Sequence, residues 1–319
     1  MEVIPASKET KNDYRDFCST EEALPIYVQD WYLDAVITDG NWEVILVKEK
    51  YNIIASFPYF QKQKLSFQYV TMPIFVKWMG LYIIPEHRSI KKEQKILQLI
   101  LPLFSKFDAF KQNFYPSLLN WSALYWEGYQ QTTFYTYQID LSKSLEELLD
   151  KCNRNIQRNI KKASSQLSVK FDLSPEQFYE INKMSFDRQD ITIPYSLSLF
   201  IKHDEVIQKK KRRKILYALD HRGNIHAASY LIWDQNSCYY HLSGENPLFR
   251  KSGAGILLVW KAIRFAKEAL NLNLFDFEGS MMQNIAHIRQ QFGSTAVSYN
   301  YIWKYNNTFY KLLDYLKKN

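Results

Sequence analysis

The sequence predicts an α/β (α+β) fold built twice, as two tandem units, each a mixed, mainly antiparallel sheet flanked by helices. Three observations carry this expectation. The chain has 319 residues, enough for two domains of ordinary size. The order strand–strand–strand–helix–strand–helix–strand can be read once in each half. The later parts of the two readings also align at an offset of 163 residues, which pairs Phe114 with Phe277, Ser117 with Ser280, Ala123 with Ala286 and Thr132 with Thr295.

Each element has a local reason. WEVILVKEKYNIIASFPYF and KILYALDHRGNIHAASYLIW are rich in β-branched and aromatic residues and are interrupted by polar turns, His221, Arg222, Gly223 and Asn224 in the second. A third strand follows in each half, SFQYVTM and SCYYHLSG, and then a helix, KKEQKILQLILPLFSKF and GILLVWKAIRFAKEAL. The expected division is residues 1–140 and residues 141–319. Just after it, SLEELLDKCNRNIQRNIKKASSQL opens with a capping box, Ser144 and Glu147. At 100° per residue, Leu145, Leu148, Leu149, Cys152, Ile156, Ile160, Ala163 and Leu167 share one face, which predicts a single helix. Lys151, Arg154, Arg158, Lys161 and Lys162 line the other face, where they can grip an anionic substrate. Ser174, Pro175 and Gln177 open another helix, and polar 196–214 carries a further one. At the end of the chain, Phe309, Leu312, Leu313 and Leu316 recur at helical spacing and predict a docked helix.

Composition narrows the class. Hydrophobic residues make up 46% and charged residues 23%, which excludes a disordered chain. Cys18, Cys152 and Cys238 are far apart and odd in number, which argues against a disulfide framework and fits a reducing compartment. The first residues lack the apolar core of a signal peptide, and no apolar run is long enough to span a bilayer. A soluble cytoplasmic protein is expected.

Charge is uneven. The net +8 divides into 14 basic and 16 acidic side chains in residues 1–140, against 27 and 17 in residues 141–319. Six cations are consecutive at 209–214 (KKKRRK), a solvated helix end or a landing site for RNA.

Residues 237–291 hold the chemistry. The strand CYYHLSG leads to a loop with Arg250, Lys251, Gly253 and Gly255, then a helix, then the strand LFDFEGS. Two of only nine glycines fall directly before that helix. Free N–H groups at a helix start attract phosphate, and glycine lets phosphate approach the backbone. Neither a P-loop nor a dinucleotide fingerprint is present.

R-x-x-G-x-G between strand and helix resembles the acyl-CoA pyrophosphate loop of the GNAT N-acyltransferase superfamily. NRNIQRNIKKA and FDFEGSMMQNIAHIRQQFG resemble its branch with duplicated GNAT-like domains, which holds the Fem-type peptidyltransferases and acetyltransferase-like proteins. This resemblance implies two GNAT-like units, with Arg250, Lys251, Gly253 and Gly255 at the donor's pyrophosphate. The first half has no counterpart of the loop: GLYIIPEHRSIKK lacks the glycine pair. Fem-type relatives take aminoacyl-tRNA instead of acyl-CoA, so the loop leaves the donor open.

Acyl transfer to an amine needs a polarised carbonyl, a base for the amine and an acid for the leaving group. Glu278 is the preferred base. It alternates with Asp276 on its strand, and His241 and Glu245 lie on the strand before. Tyr299, with Tyr301 beside it, is a candidate acid, and Arg289 a candidate for an acceptor's carboxylate or phosphate. Arg154, Arg158 and Lys161 are the candidate substrate grip. The six histidines show no metal-binding spacing, and G-x-S-x-G is absent. The expected function is transfer of an acyl group from acetyl-CoA or another acyl-CoA to an amine of a sugar, peptide or cell-envelope precursor, with no metal. A Fem-like transferase using aminoacyl-tRNA is the alternative. A non-catalytic RNA- or protein-binding GNAT-like protein is the third reading.

Overall fold

The computed structural model describes residues 1–316. The first half runs β1 (Glu2–Ile4), α1 (Lys8–Thr20), α2 (Asp30–Val36), β2 (Asn41–Glu49), β3 (Asn52–Lys64), β4 (Phe67–Thr71), β5 (Tyr82–Ile83), α3 (Ile90–Ile100), β6 (Ala109–Asn113), α4 (Ser122–Trp126) and β7 (Gln130–Asp140). It continues with α5 (Leu145–Lys151), α6 (Arg154–Gln166), β8 (Ser168–Phe171), α7 (Pro175–Asp187), α8 (Leu197–Lys209), β9 (Arg213–Leu219), β10 (Ile225–Trp233) and β11 (Ser237–Glu245). Last come α9 (Ala254–Glu268), β12 (Leu274–Asp276), α10 (Gln283–Gln291), β13 (Thr295–Tyr305) and α11 (Thr308–Leu316).

Two compact units result, each a mixed sheet that is mainly antiparallel and flanked by helices. In the first, β1, β2, β3 and β4 are antiparallel neighbours, and β4 then pairs in parallel with β6 after the α3 crossover. The second repeats the plan: β8, β9, β10 and β11 are antiparallel, and β11 pairs in parallel with β12 after the α9 crossover. A parallel pair needs such a crossover, and a helix on the sheet supplies it.

The units do not coincide with a cut at 140/141. The first comprises Met1–Phe134 and residues 298–316, and the second Tyr135–Val297. The reason is strand exchange. Tyr301 to Tyr305 of β13 pair with β6 in the first unit, while Gln138 to Asp140 of β7 pair with β12 in the second.

Local signals mostly hold. Ser144 and Glu147 form the expected capping box, and Ser174 caps α7 by accepting from the N–H of Gln177. The single helix expected over 144–167 is two. It breaks after Lys151, where Asn153 accepts from the N–H of Ile156 and starts α6. The apolar stripe runs through the break, with Leu148, Cys152, Ile156, Ile160, Ala163 and Leu167 all buried against α9 residues such as Leu257 and Ile263.

The terminal helix departs further from expectation. Phe309, Leu312 and Leu316 are exposed, and α11 instead docks through Tyr310, whose ring meets Phe67 and Tyr69, and through Asp314, which accepts from the Tyr305 hydroxyl. Among the described residues no helix is long and apolar enough to cross a membrane.

Candidate functional site

β11 and β12 stay paired for only three residues, ending at Tyr239 opposite Asp276. β11 runs on to Glu245 against β10 alone, so the two parallel strands part beyond that point. In this stretch the β10–β11 register skips one residue. Tyr230 faces Leu242 and Leu231 faces Tyr240, leaving His241 as the extra residue of a β-bulge. A bulge re-aims a side chain, and here the imidazole Nδ1 lies 2.7 Å from Glu278 Oε1. The His241 side chain is 3% exposed and that of Glu278 10%, so Glu278 is the more accessible partner.

Glu278 stands just past β12 with φ at +58°, and Gly279 follows at +74°. A non-glycine residue in this region costs about 1 kcal/mol and persists only when neighbours over-determine it. Two hydrogen bonds and one close backbone approach do so. The N–H of Glu278 donates to Asp276 Oδ1 at 2.7 Å, Arg289 Nη1 donates to the Gly279 carbonyl, and a β-carbon on Gly279 would stand 2.5 Å from the Tyr135 carbonyl oxygen.

Asp276 is fully buried. Thr136 Oγ1 donates to its Oδ1 and Gln138 Nε2 to its Oδ2. Burial pushes its carboxyl up to about 6 despite these donors. It ties the turn and does not share an open face with Glu278. Arg289 lies under the same turn with its guanidinium over the Phe277 ring at 5.6 Å, and burial lowers its pKa.

Behind His241 is a cluster that sequence reasoning missed. The His203 ring is fully buried 5.5 Å from the His241 ring, and burial drives its pKa well below the ordinary value. Next to it, Asp204 accepts from the Tyr230 hydroxyl at 2.9 Å and from Arg213 Nη2 at 3.0 Å, in an ion pair whose closest approach is 2.9 Å. Arg213 belongs to the basic run, and that changes the meaning of the run. Lys214 pairs with Asp172 at 3.0 Å, and Arg212 donates to the Asp234 carbonyl at 3.3 Å. The run straddles the end of α8 and the start of β9, and Arg212, Arg213 and Lys214 are committed to partners within the unit. Only contacts between residues distant in the chain reveal this.

The loop before α9 is a short 3-10 turn, Pro247–Ser252, with Arg250 and Lys251 at its exposed end. Gly253 caps α9 at φ +76°, where only glycine is free of strain. Gly255 leaves space of a different kind. The carboxylate of Glu245 occupies the space that its side chain would fill. Arg250 Nε is 3.9 Å from that carboxylate. The position expected for a phosphate thus holds an acidic side chain of the protein itself.

α7 crosses β11 closely here. A β-carbon on Gly244 would meet the backbone of Ile181 and Asn182, Asn182 Nδ2 donates to the Ser243 carbonyl, and the N–H of Glu245 donates to Ser185 Oγ.

Of the remaining candidates, Arg154, Arg158 and Lys161 are exposed on α6, and among the described residues none has a carboxylate within salt-bridge reach. α6 flanks the glycine loop: a β-carbon on Gly253 would sit 3.5 Å from that of Ala163. Tyr299 belongs to the first unit, packed edge-on against Trp78 and Phe134 at 5.7 and 5.8 Å, while His241 and Glu278 belong to the second. Burial pushes the thiols of Cys18 and Cys152 up to about 12 and about 11, and that of Cys238 higher still. Among the described residues no group of three or more His, Cys, Asp or Glu could hold a metal ion.

Residues 150–283 match the family model described as an acetyltransferase (GNAT) domain. Among solved structures the chain is similar to FemX, with a TM-score of 0.72 at 13% identity, covering 98% of this chain and 99% of that one. It is also similar to a tandem GNAT protein from the clavulanic acid biosynthesis pathway, with a TM-score of 0.57 at 9% identity over 96% and 98%. The C-terminal domain of a putative lysylphosphatidylglycerol synthetase from Agrobacterium fabrum gives 0.58 at 10% over 97% and 95%. At these identities the likeness is one of fold. No curated protein matches the chain by sequence.

Proposed function

Since the chain carries a tandem GNAT-like fold of the kind seen in FemX, with the GNAT match in its second half, we propose that it is an acyltransferase acting on an amine. The observation that carries this is the His241–Glu278 pair, at 2.7 Å, in the gap where β11 and β12 part. The amine nitrogen attacks the donor's carbonyl carbon and the bond to the leaving sulfur or oxygen breaks. Glu278 takes the amine proton and passes it to the leaving sulfur or oxygen, and His241 holds that carboxylate in place. Backbone of β11 beyond Tyr239 polarises the carbonyl. Arg289 is a positioning residue that fixes the turn.

In the first reading the donor is acyl-CoA, with acetyl-CoA the simplest case. Its pyrophosphate meets the start of α9 with Arg250 and Lys251 at the mouth, after Glu245 swings away from Gly255. That carboxylate is 37% exposed, so the swing is inexpensive. The acceptor is an amine of a sugar, peptide or cell-envelope precursor, and the compartment is the cytoplasm. A second reading, aminoacyl-tRNA as donor, is favoured by the uncompensated cations of α6 and by the acidic occupant at Gly255.

Calorimetry separates them. Acetyl-CoA that binds at micromolar concentration, equally well to Glu278→Gln, with transfer lost in that variant, supports the first. No binding at millimolar ligand removes it. Charged tRNA whose binding weakens and loses salt dependence in Arg158→Gln/Lys161→Gln then supports the second.

A further inference from the structure

β8 is the edge strand of the second unit, and between it, α6 and α9 lies a cavity of about 370 Å³. This is within the ~300–1,000 Å³ usual for small-molecule sites. Leu167, Val169, Phe171, Leu257 and Phe265 form its wall. Phe171 remains 44% exposed although its ring lies 5.8 Å from that of Phe265. An apolar wall open to solvent is incomplete burial.

The cavity is separate from the site above. Tyr230 and Leu231 are successive on β10 and so face opposite sides of the sheet. Tyr230 meets Phe178 of α7 and Phe200 of α8, on the side where His241 meets His203. Leu231 packs in the cluster that includes Leu257 of α9 and Ile160 of α6.

Its charges are biased. Three charged side chains line it: Lys261, Arg264 and Glu268. Arg264 and Glu268 neutralise each other in a two-point contact at 3.0 and 3.2 Å. Lys261 has no carboxylate within salt-bridge reach among the described residues. Exposed Lys161 stands one turn before Ser164, a cavity residue, and on the same side of α6. An apolar pocket with one uncompensated ammonium at its wall, flanked by a helix that carries a further exposed lysine, is complementary to an amphiphilic anion.

We infer that this cavity binds a single-chain amphiphile with an anionic head, in the form of a free medium-chain carboxylate. The chain lies against Phe171, Val169 and Leu257, and the carboxylate pairs with Lys261. This does not depend on the acyl-transfer reading.

The test titrates the full chain with decanoate below its micellar threshold, with neutral decanol as the control. One saturable site is expected, with decanoate bound more tightly than decanol. Lys261→Gln should weaken decanoate about tenfold and leave decanol unchanged. Ser164→Phe, at an exposed helix position, should fill the mouth and weaken both ligands. Thermal melts establish that each variant is folded. The inference is overturned if decanoate does not saturate, or if Lys261→Gln leaves its preference over decanol intact. Binding only to vesicles of anionic phospholipid would also overturn it, in favour of a membrane surface.

Discussion

The carboxylate of Glu245 rests on Gly255, in the space a β-carbon at that position would take. An acidic side chain at the start of a helix is electrostatically favourable there and competes with any anionic ligand for the same space. Glu245→Ala should therefore raise acetyl-CoA affinity about tenfold in calorimetry. Gly255→Ala should lose the ligand without losing stability, because the group it displaces is the tip of a flexible chain. An unchanged affinity in the first variant would mean that the donor does not use this helix start.

Glu278→Gln keeps the shape and the contact with His241 but removes the proposed proton acceptor. On an amine that the wild type acylates, the rate should fall by roughly 10²–10⁴, with the melting temperature little changed. A loss of less than tenfold would point to a different base.

Asp276 makes stability depend on pH in a defined direction. Its carboxyl titrates near 3.8 when unfolded and at about 6 in the fold, because burial disfavours the charge. The native state keeps a proton that the unfolded chain releases. Stability contributed by this group is present in full below the unfolded pKa and is lost as pH rises through about 6. The difference is about 3 kcal/mol. Urea midpoints of wild type and Asp276→Asn between roughly pH 4 and pH 8 should diverge in the variant's favour as pH rises. Parallel curves would assign the pH dependence elsewhere.

The buried Asp204–Arg213 pair predicts how the basic run responds to mutation. Asp204→Ala leaves buried Arg213 with only the exposed Asp172 among the described residues, 3.8 Å away, and should cost about 3 kcal/mol in denaturant titrations. Lys209→Gln, at an exposed helix end, should change stability by less than about 0.5 kcal/mol. Equal effects at the two positions would contradict the pairing.

Much of the local structure was legible because its causes are local. Ser144 with Glu147 and Ser174 with Gln177 make the expected cap contacts. The Asp220 carboxylate closes the expected β9–β10 turn on the N–H groups of Arg222 and Asn224. The break at Asn153 was hidden because the apolar stripe passes through it unbroken. His241 and Glu278 stand out in the sequence as polar groups, one within a strand and the other just past the next strand. Their approach depends on a bulge and a left-handed backbone, neither of which leaves a mark on composition. Arg213 and Lys209 look alike in KKKRRK, and only the fold distinguishes an inward cation from an outward one.

The exchange of β7 and β13 bears on how the chain acquires its structure during synthesis. The whole second unit, residues 135–297, must leave the ribosome before β6 can receive the hydrogen bonds of residues 301–305. Until then β6 presents an unsatisfied edge, exposed to pairing with other chains. The contacts that complete the first unit come from residues made after the whole second unit, so the first unit cannot close until the second has been synthesised, and pairing across so long a separation is slow. A nascent chain halted near residue 297 would be a species for chaperones to hold, whatever the state of its second unit.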